Sequence, residues 1–76
     1  MQESKEIFLF QNIRQVILAD RWCTQNKVPV RVLPVPRPYS SECGMCLEVS
    51  PEVGDRLQQF SEEQKMKTKR ILLPIQ

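Results

Sequence analysis

Prolines stand at positions 34, 36 and 38 of this 76-residue chain, within the stretch LPVPRPYSSECG from Leu33 to Gly44. Each proline fixes its φ angle and removes a backbone donor. Alternate prolines therefore stiffen a segment toward an extended path and bar it from a helix interior or a central strand. The stretch reads as a rigid loop, and long ordered loops in compact domains are the ones most often functional. Regular structure is then left to the residues on either side of it. A chain this short buries only about 60% of its unfolded surface, so one compact domain over residues 1–76 is expected, with residues 1–5 a disordered tail.

Ahead of the loop, Ile7 to Phe10 is an unbroken apolar run suited to a central strand. Asn12 offers a helix N-cap, and Gln15 stands three residues later in the position of a capping box. In the helix that follows, IRQVILADRWCTQNK, Val16, Ala19 and Cys23 share one face at i, i+3 and i+7. Leu18-Trp22 and Ile13-Ile17 flank that face on opposite sides. A helix apolar over so much of its girth either buries a second face against a partner or simply exposes a few apolar groups. Val28-Pro29 ends it, and Val30 to Leu33 forms a short β-branched strand with Arg31 on its polar side.

Beyond the loop, Met45 to Val49 alternates as a half-buried strand, with Met45, Leu47 and Val49 inward and Cys46 and Glu48 outward. Ser50-Pro51-Glu52 is a helix start: a serine cap, proline at the first helical position, an acid in the first turn. Val53, Leu57 and Phe60 supply its core face, and Gly54 costs it about 1 kcal/mol relative to alanine. The run Lys65 to Arg70 reads as a solvated turn. Ile71 to Ile75 is a last apolar strand, whose Pro74 belongs at a sheet edge or strand end. The order β-α-β-β-α-β with right-handed crossovers predicts an α+β, ferredoxin-like sandwich: a four-stranded antiparallel sheet with both helices on one face. Alternation places Phe8 and Phe10 on one side of the first strand and Ile7 and Leu9 on the other. The open face of the sheet would then need cover, and a homodimer is the simplest way to provide it.

Composition removes several function classes. A net charge of +2, with eleven Lys/Arg against nine Asp/Glu, is too small a surplus for nucleic-acid binding, and MCLEV lacks the aromatics an RNA-binding third strand would need. No secretory h-region or membrane span is present, so a cytoplasmic protein is expected. The chain has no histidine for a Cys-His or Ser-His arrangement, and only two glycines, too few for a phosphate-cradling loop. A stand-alone enzyme or a resident cofactor is therefore not expected. Three cysteines argue against a disulfide framework, and without histidine a one-chain zinc site is not expected, while a site shared between subunits stays open.

What remains is thiol chemistry. Cys43 and Cys46 flank Gly44-Met45, a spacing open to a metal clip, a redox switch, a sulfur-transfer site or two unrelated thiols. Fully extended, their alpha carbons would lie roughly 10 Å apart with side chains facing opposite ways. A disulfide needs about 4.4–6.8 Å. The two can act together only if the chain turns at Gly44, which tolerates positive φ. The spacing allows that turn and does not compel it. Arg37 and Arg31 are the nearest cations in sequence that could favour a thiolate, and Ser40 and Ser41 are hydroxyl donors. Glu42 would act in the opposite sense. Cys23, on an apolar helix face, reads as a core filler, Cys43 as an accessible thiol, and Cys46 as intermediate.

The segment VPVRVLPVPRPYSSECGMCLEV, preceded by a strand and a helix carrying Leu18-Ala19-Asp20, resembles the small bacterial selenium/sulfur carrier-like proteins. Their signature is a Pro-Arg pair followed by Ser-Ser-x-Cys-Gly, matched here by Pro36-Arg37 and Ser40-Ser41-Glu42-Cys43-Gly44. The resemblance runs from Ile7 to about Ile75, though only the loop signature is specific. It implies a carrier that holds sulfur or selenium on Cys43 as a persulfide or selenopersulfide. Such a carrier would be loaded by a cysteine desulfurase or another donor and unloaded by an acceptor protein. Arg37, Ser40, Ser41 and Gly44 would form its binding surroundings. Cys46 departs from the plainest pattern, where a small residue such as alanine also fits, and would be a resolving thiol or a bystander. Two other readings stand beside this one. A soft-metal-binding or thiol-redox protein would use Cys43 and Cys46 jointly, and a dimeric interaction module would use neither.

Overall fold

A computed structural model describes residues 4–74. The elements follow the expected order: β1 Ser4–Leu9, α1 Ile13–Gln25, β2 Arg31–Pro34, β3 Met45–Val49, α2 Pro51–Glu63 and β4 Lys69–Pro74. The four strands form one sheet in the order β2-β3-β1-β4, every neighbouring pair antiparallel. This is the α+β, ferredoxin-like arrangement. Some boundaries differ from those expected. Ser4 and Lys5, assigned to the tail, lie in β1 opposite Pro74 and Leu73, while residues 1–3 lie outside the described residues. The strand β2 starts one residue later than its β-branched run, and β4 starts two residues earlier, at Lys69. Pro74 ends the edge strand β4, as a residue without a donor should. Ile75 lies outside the described residues.

Both helices cover one face of the sheet. Phe8, Phe10, Leu47 and Val49 meet Val16, Ala19 and Cys23 of α1 and Leu57 of α2 in one buried cluster. Trp22 of α1 stacks on Phe60 of α2 with ring centroids 4.8 Å apart. The start of α1 is capped as expected: Asn12 Oδ1 accepts from the Gln15 backbone N–H at 2.9 Å. The Gln15 side chain reaches back to Gln11 N at 3.0 Å, one residue ahead of the usual capping-box partner. Ser50 sits at the N-cap of α2 but its hydroxyl makes no capping bond, so this start rests on Pro51 and Glu52. The flanking Ile13 and Ile17 of α1 remain 49% and 51% exposed, and Leu18 is exposed beside them.

The helix α2 meets the sheet on the expected face, with Leu57 in the core and Val53 and Phe60 packed against it, but its most buried line is shifted toward Gly54 and Ser61. Gly54, Leu57 and Ser61 are buried, with Val53 and Phe60 half-buried beside them. The cause is a polar hub. Arg70 was expected in a solvated turn; instead it lies in β4, with Nε 2.8 Å from Glu6 Oε1. Its Nη1 reaches Asp55 Oδ1 at 2.7 Å and Gln58 Oε1 at 2.6 Å, on the exposed side of α2. Gly54 lies directly over the Glu6 carboxylate, where a Cβ would overlap Glu6 Oε1 and come 2.9 Å from Arg70 Nη2. The glycine that weakens the helix is thus the residue that lets α2 close over a buried ion pair.

The second face of the sheet carries its own apolar cluster. Ile7, Leu9 and Cys46 are buried there among Leu33, Val35, Tyr39, Ile71 and Leu73. Val35 and Tyr39 come from the proline loop, which folds back over this face. The chain itself thus supplies part of the cover this face needs, with Leu33, Ile71 and Leu73 left half-buried.

Candidate functional site

In this topology β1 and β2 run parallel to each other, and β3 and β4 run opposite to them. The connections β1–α1, β2–β3 and α2–β4 therefore meet at one end of the sheet. The proline loop, residues 35–44, is the longest of the three. Its neck is closed by Val35 N donating to Gly44 O at 3.1 Å, and a tight turn is set by Tyr39 N donating to Pro36 O at 2.9 Å. Gly44 takes φ +76°, the left-handed conformation expected of it, with open space where a Cβ would lie. Glycine is needed there for its backbone angles, not for room.

That turn sets the surroundings of Cys43. Its thiol donates to Met45 O at 2.9 Å and lies 3.5 Å from Ser41 Oγ. Ser41 Oγ in turn accepts from the Gly44 N–H at 3.3 Å, which leaves its own proton free to point at the sulfur. Cys43 is half-buried and packs at the margin of the helix-side core.

Cys46 is on the other side of the sheet. It faces away from the helices, as alternation predicted, but it is fully buried under the folded-back loop. Its thiol lies 3.9 Å from Pro34 O. Burial pushes its pKa up, with the Glu48 carboxylate and Cys43 adding to the effect. Cys23 is buried in the helix-side core as expected. Burial, helped by Asp20 and opposed by Arg56, pushes its pKa up to about 11. All three cysteines are free, and Cys43 is the one that is not fully buried. Cys43 and Cys46 thus belong to clusters on opposite faces of the sheet, which does not favour their joint use. Among the described residues no group of three or more His, Cys, Asp or Glu is placed to hold a metal.

The expected cations are elsewhere. Arg37 is exposed at the outer turn of the loop and joins none of the ion pairs among the described residues. Arg31 lies 3.9 Å from Glu48 on the open face. The groups that do face the loop come from the α2–β4 connection and the first residue of β4, a run whose composition is that of a solvated turn. Lys67, Thr68 and Lys69 form one wall of a cleft of about 540 Å³, and Ser40, Ser41 and Glu42 form the other. Leu9 at the end of β1, with Phe10 and Gln11 after it, completes the lining. The KMKTK run was the visible signal, and the strand order brings it to the loop. Ser41 belongs to the cleft wall and also touches the Cys43 sulfur.

Among the described residues no helix is long and apolar enough to cross a membrane. Comparison with curated proteins and with solved structures returns no match. A family model described as "Putative Se/S carrier protein-like" matches residues 5–73, a span that takes in all of the fold but the first residue of β1 and the last of β4, together with the proline loop and its cysteine. The chain therefore belongs to the Se/S carrier protein-like family.

Proposed function

We propose that the protein carries sulfur or selenium on Cys43 as a persulfide or selenopersulfide and delivers it to an acceptor protein. The observation that carries this reading is the difference among the three thiols: Cys23 and Cys46 are sealed in cores, while Cys43 sits half-buried at the end of a braced loop. In loading, the Cys43 thiolate attacks the outer sulfur of a donor's persulfide. A Cys43–sulfur bond forms, the donor's sulfur–sulfur bond breaks, and the donor thiolate leaves with the bonding pair. No net oxidation is needed. Ser41 supports the anionic sulfur by donating its hydroxyl proton, and the rigid loop keeps that donor in place. Cys46 is assigned to packing under the loop, not to resolving the persulfide. The protein is a carrier rather than a stand-alone enzyme, working in the cytoplasm where thiols stay reduced.

The test is intact-mass measurement after incubation with a cysteine desulfurase and its substrate. An adduct of about +32 Da for sulfur or +80 Da for selenium is expected on the native protein. It is expected to be lost in Cys43→Ser and retained in Cys46→Ser. Absence of the adduct, or its persistence in Cys43→Ser, would defeat the reading.

A further inference from the structure

The cleft beside Ser41 has a composition of its own. Two ammonium groups, Lys67 and Lys69, stand across it from the hydroxyls of Ser40 and Ser41, with Thr68 between the lysines and Glu42 the one carboxylate in its wall. Ammonium and hydroxyl donors converging on one concave surface suit an oxyanion, and the two positive charges outnumber the single negative one. The cleft is a wide, solvent-open one at the end of the sheet, and Lys67 and Lys69 are both exposed. Ser41 connects it to the thiol, because Ser41 lines the cleft and its Oγ lies 3.5 Å from Cys43 Sγ.

We infer that this cleft binds the oxyanion end of a small anionic sulfur donor and presents its transferable sulfur to Cys43, thiosulfate being the simplest such donor. The inference rests on the carrier reading of Cys43 and adds a class of donor to it. An oxyanion hydrogen-bonded to Ser40 and held by Lys67 and Lys69 has its outer sulfur directed toward Cys43 Sγ, while Ser41 keeps its proton on the Cys43 sulfur. The thiolate attacks that outer sulfur, a sulfur–sulfur bond forms to Cys43, and the original bond to the sulfonate breaks. Both electrons of the broken bond leave with sulfite, so a thiolate and a dianion become a persulfide anion and a dianion. No outside oxidant or reductant enters, and the open side of the cleft gives sulfite an exit.

Binding is tested first in Cys43→Ser, which cannot react, by titrating thiosulfate, sulfate and, at matched ionic strength, chloride, while following backbone amide NMR shifts. Saturable shifts confined to residues 40–42 and 67–69 are expected with both oxyanions and not with chloride. Adding Lys67→Gln and Lys69→Gln is expected to weaken binding by about fivefold per lysine, the factor for one unit charge at contact distance in water. The reduced native protein is then mixed with thiosulfate, and sulfite release is measured beside intact mass. Sulfite and adduct are expected in equal amounts, both falling in the lysine variant. Shifts that do not saturate, affinity indifferent to the lysines, or binding without sulfite release would each overturn the inference. Loading from a desulfurase but not from thiosulfate would also overturn it, while leaving the carrier reading intact. Loading from neither would defeat both.

Discussion

Gly54→Ala sets two effects of known sign against each other. Within a helix, alanine is favoured over glycine by about 1 kcal/mol, so helix propensity alone predicts a more stable protein. At this position the added methyl overlaps Glu6 Oε1 and lies 3.1 Å from Glu6 Cδ and 2.9 Å from Arg70 Nη2. Glu6 cannot swing freely into water, because its side chain is only 10% exposed and is held at 2.8 Å by Arg70. Overpacking of this kind costs roughly 1–3 kcal/mol, and parting a buried ion pair costs roughly 3–5 kcal/mol. The lower end applies here, since Arg70 is 25% exposed and keeps Asp55 and Gln58 when Glu6 moves. If Glu6 yields so that the overlap is relieved by parting the pair alone, about 3 kcal/mol less the helix gain leaves about 2 kcal/mol of destabilisation, or a Tm lower by about 8–16 °C for a domain this size. Urea denaturation followed by circular dichroism, with thermal melts beside it, gives both quantities. The decisive comparison uses Glu6→Ala as background: once the obstructing carboxylate is gone, Gly54→Ala should become neutral or stabilising by up to about 1 kcal/mol. A Gly54→Ala protein more stable than the native one, or one destabilised equally in both backgrounds, would refute the argument that Gly54 is required by the Glu6–Arg70 pair.

Two further outcomes follow from the thiols. Tyr39→Ala should strip part of the cover from the Ile7–Leu9–Cys46 cluster and raise the alkylation rate of Cys46 by about tenfold or more, while Cys23 stays protected. Peptide mass mapping of partly alkylated protein reads this directly, and an unchanged Cys46 rate would show that the loop is not its shield. Cys23 has a second signature. Its folded pKa of about 11 lies above the ordinary value of 9.0, so the unfolded chain releases the proton first as pH rises. The stability this group contributes is complete below pH 9 and is lost between about pH 9 and 11, up to about 2–3 kcal/mol. Between pH 8 and 11 the native protein should therefore lose more stability than Cys23→Ala does. Parallel Tm curves for the two would count against a buried neutral thiol.

Most of the fold was legible because its elements announce themselves locally. Asn12 marks one helix start, Pro51 and Glu52 mark the other, and the alternate prolines forbid regular structure between Leu33 and Gly44 except at the strand end. What was not legible depends on partners distant in the chain. The KMKTKR run has the composition of a solvated turn, but pairing with β1 places Arg70 in β4, where its guanidinium meets Glu6, 64 residues away. The same contact explains Gly54: its cost to the helix is a local property, its necessity a tertiary one. The most buried line of α2 takes in the glycine beside the apolar period.

The site divides along the same line. The Cys43, Ser41 and Gly44 grouping is built within four residues by one left-handed turn, so its spacing could be read directly. The lysines opposite belong to another connection, and only the antiparallel strand order brings the two together. For Cys46, the period of two identified the right face of the sheet, but a strand's period says nothing about what lies over that face. Cover came from Val35 and Tyr39, on a loop with no periodicity to read. The consequence for the Cys-x-x-Cys spacing is specific. A turn at Gly44 is necessary for its two thiols to meet, yet the turn observed leaves Cys43 at the helix-side margin and Cys46 beneath the loop on the other face. With the two thiols packed into clusters on opposite faces, the arrangement favours Cys43 as the accessible thiol and Cys46 as a packing residue over their joint use.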